Sequence, residues 1–110
     1  MKFKDFEADG VIVMDLSGKI MGGEETTMFH GKMHEYIQAG KHRFVIDLKN
    51  VEWMNSVGLG MLISALTTVK NANGRLVLAH ITNIESILTM TRLITVFEHF
   101  DNREAALRSF

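Results

Sequence analysis

FVIDLKNVEWMNSVGLGMLISALTTVKNANG, residues 44–74, changes its period part-way along, and that change decides the fold. Phe44-Val45-Ile46-Asp47-Leu48 is too short for a helix and rich in β-formers, so it reads as a central strand buried on both faces. A loop is expected next. From Ser56 the apolar residues recur with a different spacing: Leu62, Ile63, Leu66 and Val69 lie three, four, seven and ten positions after Leu59, one stripe of an α-helix. Asn73-Gly74 closes the segment, glycine being suited to the left-handed conformation of a helix C-terminus. Ser56 is thus expected at the N-cap of a helix that leaves the C-terminal end of a buried strand. Unpaired backbone N–H groups and the positive end of the helix dipole surround such a position.

The run from Asp47 to Gly60, DLKNVEWMNSVGLG, resembles the signature loop of the STAS domain, the fold shared by anti-sigma factor antagonists and sulfate-transporter tails. In the antagonist branch the loop ends in Asp-Ser-Ser-Gly-Leu-Gly, and its first serine is the phosphoacceptor. Alignment on Gly58-Leu59-Gly60 puts that serine at Ser56, with Asn55 in place of the acid and Val57 in place of the second serine. The resemblance covers nearly the whole chain. It implies a non-enzymatic switch that binds an anti-sigma factor, often a serine kinase, and is released when Ser56 is phosphorylated and reset by a phosphatase.

Composition agrees with a small regulatory module. A chain of 110 residues is expected to form one domain over residues 1–110 with its own core. Its 12 basic and 13 acidic residues give a net charge of −1, which offers no pull toward nucleic acid or anionic lipid. Without cysteine there is neither a disulfide framework nor thiol chemistry, which suits a reducing cytoplasm. Lys2, Lys4, Asp5 and Glu7 interrupt any apolar leader, so no secretory signal is expected. The longest uncharged stretch, Trp53 to Val69, carries too many polar residues to insert in a membrane.

Outward from the central stretch, Phe3–Glu7 alternates as an edge strand does, and Asp9-Gly10 signals a hairpin into Val11–Leu16. Ser17–Ile20 resembles the corner by which STAS domains leave this strand. Glu24-Glu25 opens a helix running to about Ala39, stopped by Gly40, with Phe29, Met33, Tyr36 and Ile37 as its buried stripe. Gly31 inside it costs roughly 1 kcal/mol relative to alanine, so it either permits close packing or leaves the helix weak there. Arg75–Ala79 is a further strand. A helix follows from about Asn83 to Leu93, where Arg92 stands in place of the family's glycine and a differently built turn is expected. Thr95-Val96-Phe97 reads as the last strand, and Asp101 with Glu104 as the capping box of a terminal helix. The order β-β-α-β-α-β-α-β-α implies an α/β fold with a mostly parallel sheet of four to five strands, an N-terminal hairpin and four helices.

Ser56 is the principal candidate, as helix cap or as phosphoacceptor. Gly58 and Gly60 in a first helical turn are otherwise costly, and their expected use is to let a backbone or a phosphate come close. With Leu59, Leu62, Ile63 and Leu66 inward, Val57, Gly60, Met61, Ser64 and Thr68 project outward. The expected partner surface is therefore Met54, Asn55, Ser56, Val57, Gly58, Gly60, Met61 and Ser64, with Met54 and Met61 as adaptable contacts. His30 and His34 share a helix face but lack a third ligand, so no metal and no cofactor is expected. Neither a nucleophile elbow nor a Walker pattern is present. Two other readings remain open: a STAS scaffold or cytosolic accessory subunit of a transporter that is never phosphorylated, and a small anion- or nucleotide-binding domain using the helix N-terminus. A monomer or weak dimer is expected.

Overall fold

The computed structural model describes all residues, 1–110. Strands β1 (Lys2–Ala8) and β2 (Val11–Ile20) form an antiparallel hairpin. Asp9 and Gly10 both take positive φ, 52° and 81°, as a type I′ turn requires. Helix α1 (Glu24–Gln38) crosses to β3 (Arg43–Met54), α2 (Ser56–Asn71) to β4 (Arg75–Ala79), and α3 (Glu85–Met90), preceded by a 3₁₀ turn, to β5 (Glu98–Phe100). Helix α4 (Arg103–Arg108) ends the fold. The sheet order is β1-β2-β3-β4-β5, parallel from β2 onward, so the apolar run of residues 44–48 is indeed the middle strand. The expected element order holds throughout.

Alternation along the strands feeds two cores. Ile12, Met14, Phe44, Ile46, Leu76 and Leu78 face α1, α2 and α3, where Phe29, Met33, Leu62 and Leu88 close over them. On the other face Val11, Val13, Val45, Val77 and Ala79 pack against Ala106 of α4. Asp47 is the buried charge of that second face, 2% exposed. Arg103 Nε donates to it at 2.8 Å and Arg103 Nη2 to Asp15 at 3.0 Å, while the N–H of Lys49 donates to its other oxygen. A buried carboxylate is tolerated only with such pairing.

Several sequence expectations are corrected. β3 does not stop at Leu48: it runs to Met54, because β2 continues beside it to Ile20 through two register shifts. Residues 95–97 form a turn rather than the last strand. Phe97 turns into the core, and the strand begins at Glu98, which pairs with Val77 and takes two hydrogen bonds from Arg75. Those bonds hold the Glu98 carboxyl below its usual pKa. Asn73, φ 62°, and not Gly74, takes the left-handed turn after α2; a side chain on Gly74 would run into the carbonyl of His42. Arg92 adopts the left-handed conformation (φ 61°) despite its steric cost, so the turn is not built differently. Asn102, not Asp101, caps α4, accepting the N–H of Ala105 at 2.8 Å. Gly31 has open space where a Cβ would stand, so close packing is not its reason.

Candidate functional site

The N-terminus of α2 emerges where β3 ends, and the β2–α1 connection leans on it. The N–H of Asn55 donates to the carbonyl of Ile20 at 3.2 Å, joining the two loops. A Cβ on Gly58 would lie 2.5 Å from that same oxygen, and one on Gly22 would lie 2.7 Å from Val57 Cγ1. Both glycines are therefore required by close approach within the domain. Gly60 differs. It is exposed, and a Cβ there would meet nothing, so its helix-weakening backbone serves no internal contact.

Ser56 is not the cap that its position suggests. Asn55, extended at φ −100°, is the N-cap, and its Oδ1 accepts the N–H of Gly58 at 2.9 Å. Ser56 is the first residue of the helix, exposed, with its hydroxyl in no hydrogen bond. The N–H groups of Ser56 and Val57 have no partner in the first turn, so they and the dipole favour negative charge at this hydroxyl.

The structure brings together Asn55, Ser56, Val57 and Gly60 as a surface, with Ser64 exposed two turns along. Three expected contact residues, Gly58, Met61 and Met54, are inside instead. Met61 is 3% and Met54 4% exposed, and both belong to the main core. Ile63, expected inward, is 37% exposed, and Thr68 is half-buried. The cause is Gly58. Its contact with Ile20 turns that edge of the helix toward the sheet, and Met61 and Ala65, three and seven residues on, follow it inward.

Three exposed apolar residues lie outside the expected partner surface. Met21 and Trp53 are about half exposed and Met90 almost wholly so. Trp53 and Met90 border a groove of about 390 Å³ with Asn55, Ile84 and Ile87. Asn83 fixes one wall by donating to the carbonyl of Val51 at 2.9 Å. Strand alternation would place Trp53 on the face of buried Val51, and it is the register shift at Glu52 that turns Trp53 outward. Nothing local marks Met90, at the end of a six-residue helix.

His30 and His34 are close enough to repel. Burial, and then the charge of His34, lowers the pKa of His30. No three His, Cys, Asp or Glu side chains converge as a metal would need, and no helix is long and apolar enough to cross a membrane.

Comparison with known proteins agrees with this geometry. The STAS domain family model matches residues 5–106. The chain is 22% identical over 111 residues to BtrV of Bordetella bronchiseptica, a candidate anti-sigma factor antagonist, covering 100% of this chain and 95% of the relative. It is 27% identical over 100 residues to the anti-sigma F factor antagonist of Paenibacillus polymyxa, covering 89% and 85%. Among solved structures, a candidate anti-sigma factor antagonist of Thermotoga maritima superposes with a TM-score of 0.85 at 20% identity over 97% of this chain and 92% of that one. The phosphorylated form of the Bacillus cell fate determinant SpoIIAA gives 0.76 at 16%, covering 99% and 100%.

Proposed function

The chain belongs to the STAS domain family, and on that premise we propose that it is a non-catalytic binding switch of the anti-sigma factor antagonist kind. In this reading the unphosphorylated protein docks an anti-sigma factor with serine-kinase activity through Asn55, Ser56, Val57 and Gly60. Phosphorylation of Ser56 ends the complex, and a phosphatase restores it. A cytoplasmic setting follows from such partners.

The observation that carries this reading is the unbonded, exposed hydroxyl of Ser56 at the start of a 16-residue helix. A phosphate there adds about −1.5 to −2 charges. Within the domain the charge is welcome, stabilised by about 0.3–1 kcal/mol at the helix dipole. Against a partner surface with no counter-ion the same charge costs several kcal/mol. At about 1.4 kcal/mol per decade, the affinity falls by two to three orders of magnitude. Val57 beside it supplies apolar contact, and the empty space over Gly60 lets a partner backbone come close.

The test is to incubate the protein with its kinase partner and ATP, map the phosphate by mass spectrometry, and measure partner affinity for wild type, Ser56→Asp and Ser56→Ala. Phosphate on Ser56, weak binding by Ser56→Asp and retained binding by Ser56→Ala are expected. Wild-type affinity in Ser56→Asp, or phosphate on another residue, would reduce Ser56 to a first-turn helical residue and overturn the switch.

A further inference from the structure

Apolar side chains exposed singly are normal on a protein surface, and Phe6, Met28 and Val96 stand on separate elements in this way. Met21, Trp53, Val57 and Met90 do not. Val57 packs against Gly22, the neighbour of Met21. Trp53 and Met90 flank the groove of about 390 Å³ that also includes Asn55, the cap of α2. The exposed apolar residues of this region thus stand around Asn55 and Ser56.

The lining of the groove says what it accepts. Buried Met54 and Ile84 underlie it, half-buried Ile87 adjoins them, and exposed Trp53 and Met90 stand at its edge. Five of its eight residues are hydrophobic and none is charged. Both of its amides are committed to the backbone, Asn55 Oδ1 to the N–H of Gly58 and Asn83 Nδ2 to the carbonyl of Val51. An ion is unwelcome there, because a charge taken out of water without a partner is costly. An apolar group is favoured, since it removes the indole and the thioether from water. Tryptophan and methionine are also the side chains on which protein partners commonly rest.

We propose that the groove receives an apolar side chain of the same anti-sigma factor that meets Ser56, with Trp53 and Met90 as the contacts that hold it. This rests on the switch reading, and continuity supports a single partner. Asn55 belongs both to the groove and to the docking surface of Asn55, Ser56, Val57 and Gly60, so a partner seated on the serine reaches the groove directly.

Tryptophan occurs once in the chain, so fluorinated tryptophan gives a single fluorine NMR resonance, at Trp53. The test titrates the labelled full chain with the serine kinase that modifies Ser56, without ATP, so that the hydroxyl stays free. A saturable shift of that resonance is expected. Met90→Ser should weaken binding about tenfold. Met28→Ser makes the same change at an exposed position of α1 and should leave the affinity as it was. A kinase that binds without moving the resonance, that binds Met90→Ser as tightly as wild type, or that loses affinity equally with both variants overturns the groove and leaves the switch standing. A kinase that phosphorylates the chain elsewhere than Ser56, or does not bind it, overturns both. A shift produced by raising the protein concentration alone assigns the groove to a second copy and overturns the proposal.

Discussion

Asn55 Oδ1 accepts the backbone N–H of Gly58 at 2.9 Å, so the helix carrying Ser56 is capped by the residue before the serine. Ser56 is thereby free of a structural duty, and its hydroxyl is available to a modifying enzyme. Asn55→Ala should cost about 1 kcal/mol, the usual worth of a cap. For a domain of this size that is roughly 4–8 °C in Tm. Ser56→Ala, at an exposed first-turn position, should stay within about 0.5 kcal/mol. Thermal melts followed by circular dichroism would rank the two. Equal losses would return the cap to Ser56. Asn55→Asp keeps the acceptor and adds a charge that the dipole favours by about 0.3–1 kcal/mol, so its melting temperature should equal or exceed that of wild type.

Met61 and Ile63 exchange the roles that helical spacing alone assigns them. Met61→Asp buries a carboxylate without a partner and should leave the protein largely unfolded at room temperature. Met61→Leu, nearly equal in volume, should cost less than about 1.5 kcal/mol. Ile63→Asp, at an exposed site, should barely change the urea midpoint. A folded Met61→Asp protein would contradict the packing described here.

The glycines of the loop separate by what they touch. Gly58→Ala drives a methyl group into the Ile20 carbonyl and should destabilise by about 1–3 kcal/mol, in line with other overpacked sites. Gly60→Ala and Gly31→Ala meet nothing and should each stabilise the helix by up to roughly 1 kcal/mol. Gly60→Leu should leave stability near wild type while weakening the partner complex. Undiminished affinity in Gly60→Leu would remove Gly60 from the docking surface.

Tyr36 ties α1 to the edge strand by donating its hydroxyl to Asp5 Oδ2. That bond, then burial and the nearby carboxylates, raise its pKa from 10.0 to about 12. The folded state thus holds the phenolic proton more tightly than the unfolded chain. The stabilisation is complete below pH 10 and disappears as the pH rises through about 12. Unfolding measured across that interval should show a steeper alkaline loss in wild type than in Tyr36→Phe, which starts less stable. Parallel curves would mean that the bond carries no weight in solution.

Much of this molecule is legible in the sequence because periodicity is a local property. The alternation of Phe3–Glu7, the apolar run of residues 44–48 and the four-residue spacing from Leu59 to Ile63 and from Leu62 to Leu66 each require only neighbouring residues. They gave the order of elements and the central strand correctly. The Asp9-Gly10 turn and the stop at Gly40 are legible for the same reason: positive φ is cheap for few residues. For the two ends of α2 and the start of α4 the sequence points to Ser56, Gly74 and Asp101, and the structure gives each role to the adjacent asparagine, Asn55, Asn73 and Asn102.

Those choices, and the surface around Ser56, were made by contacts between segments far apart in the chain. Ile20 pressing on Gly58 set the roll of α2 and sent Met61 inward and Ile63 outward. The pairing of Glu98 with Arg75, 23 residues away, moved the last strand beyond Phe97. Arg103 reached back 56 and 88 residues to join Asp47 and Asp15, a clamp that no spacing foretells. The sequence by itself determined which segments are helix and strand, because backbone sterics and side-chain periodicity act over a few residues. The tertiary structure decided which face of each is buried and which residues meet at the site, because burial is fixed only when distant elements compete for the same core.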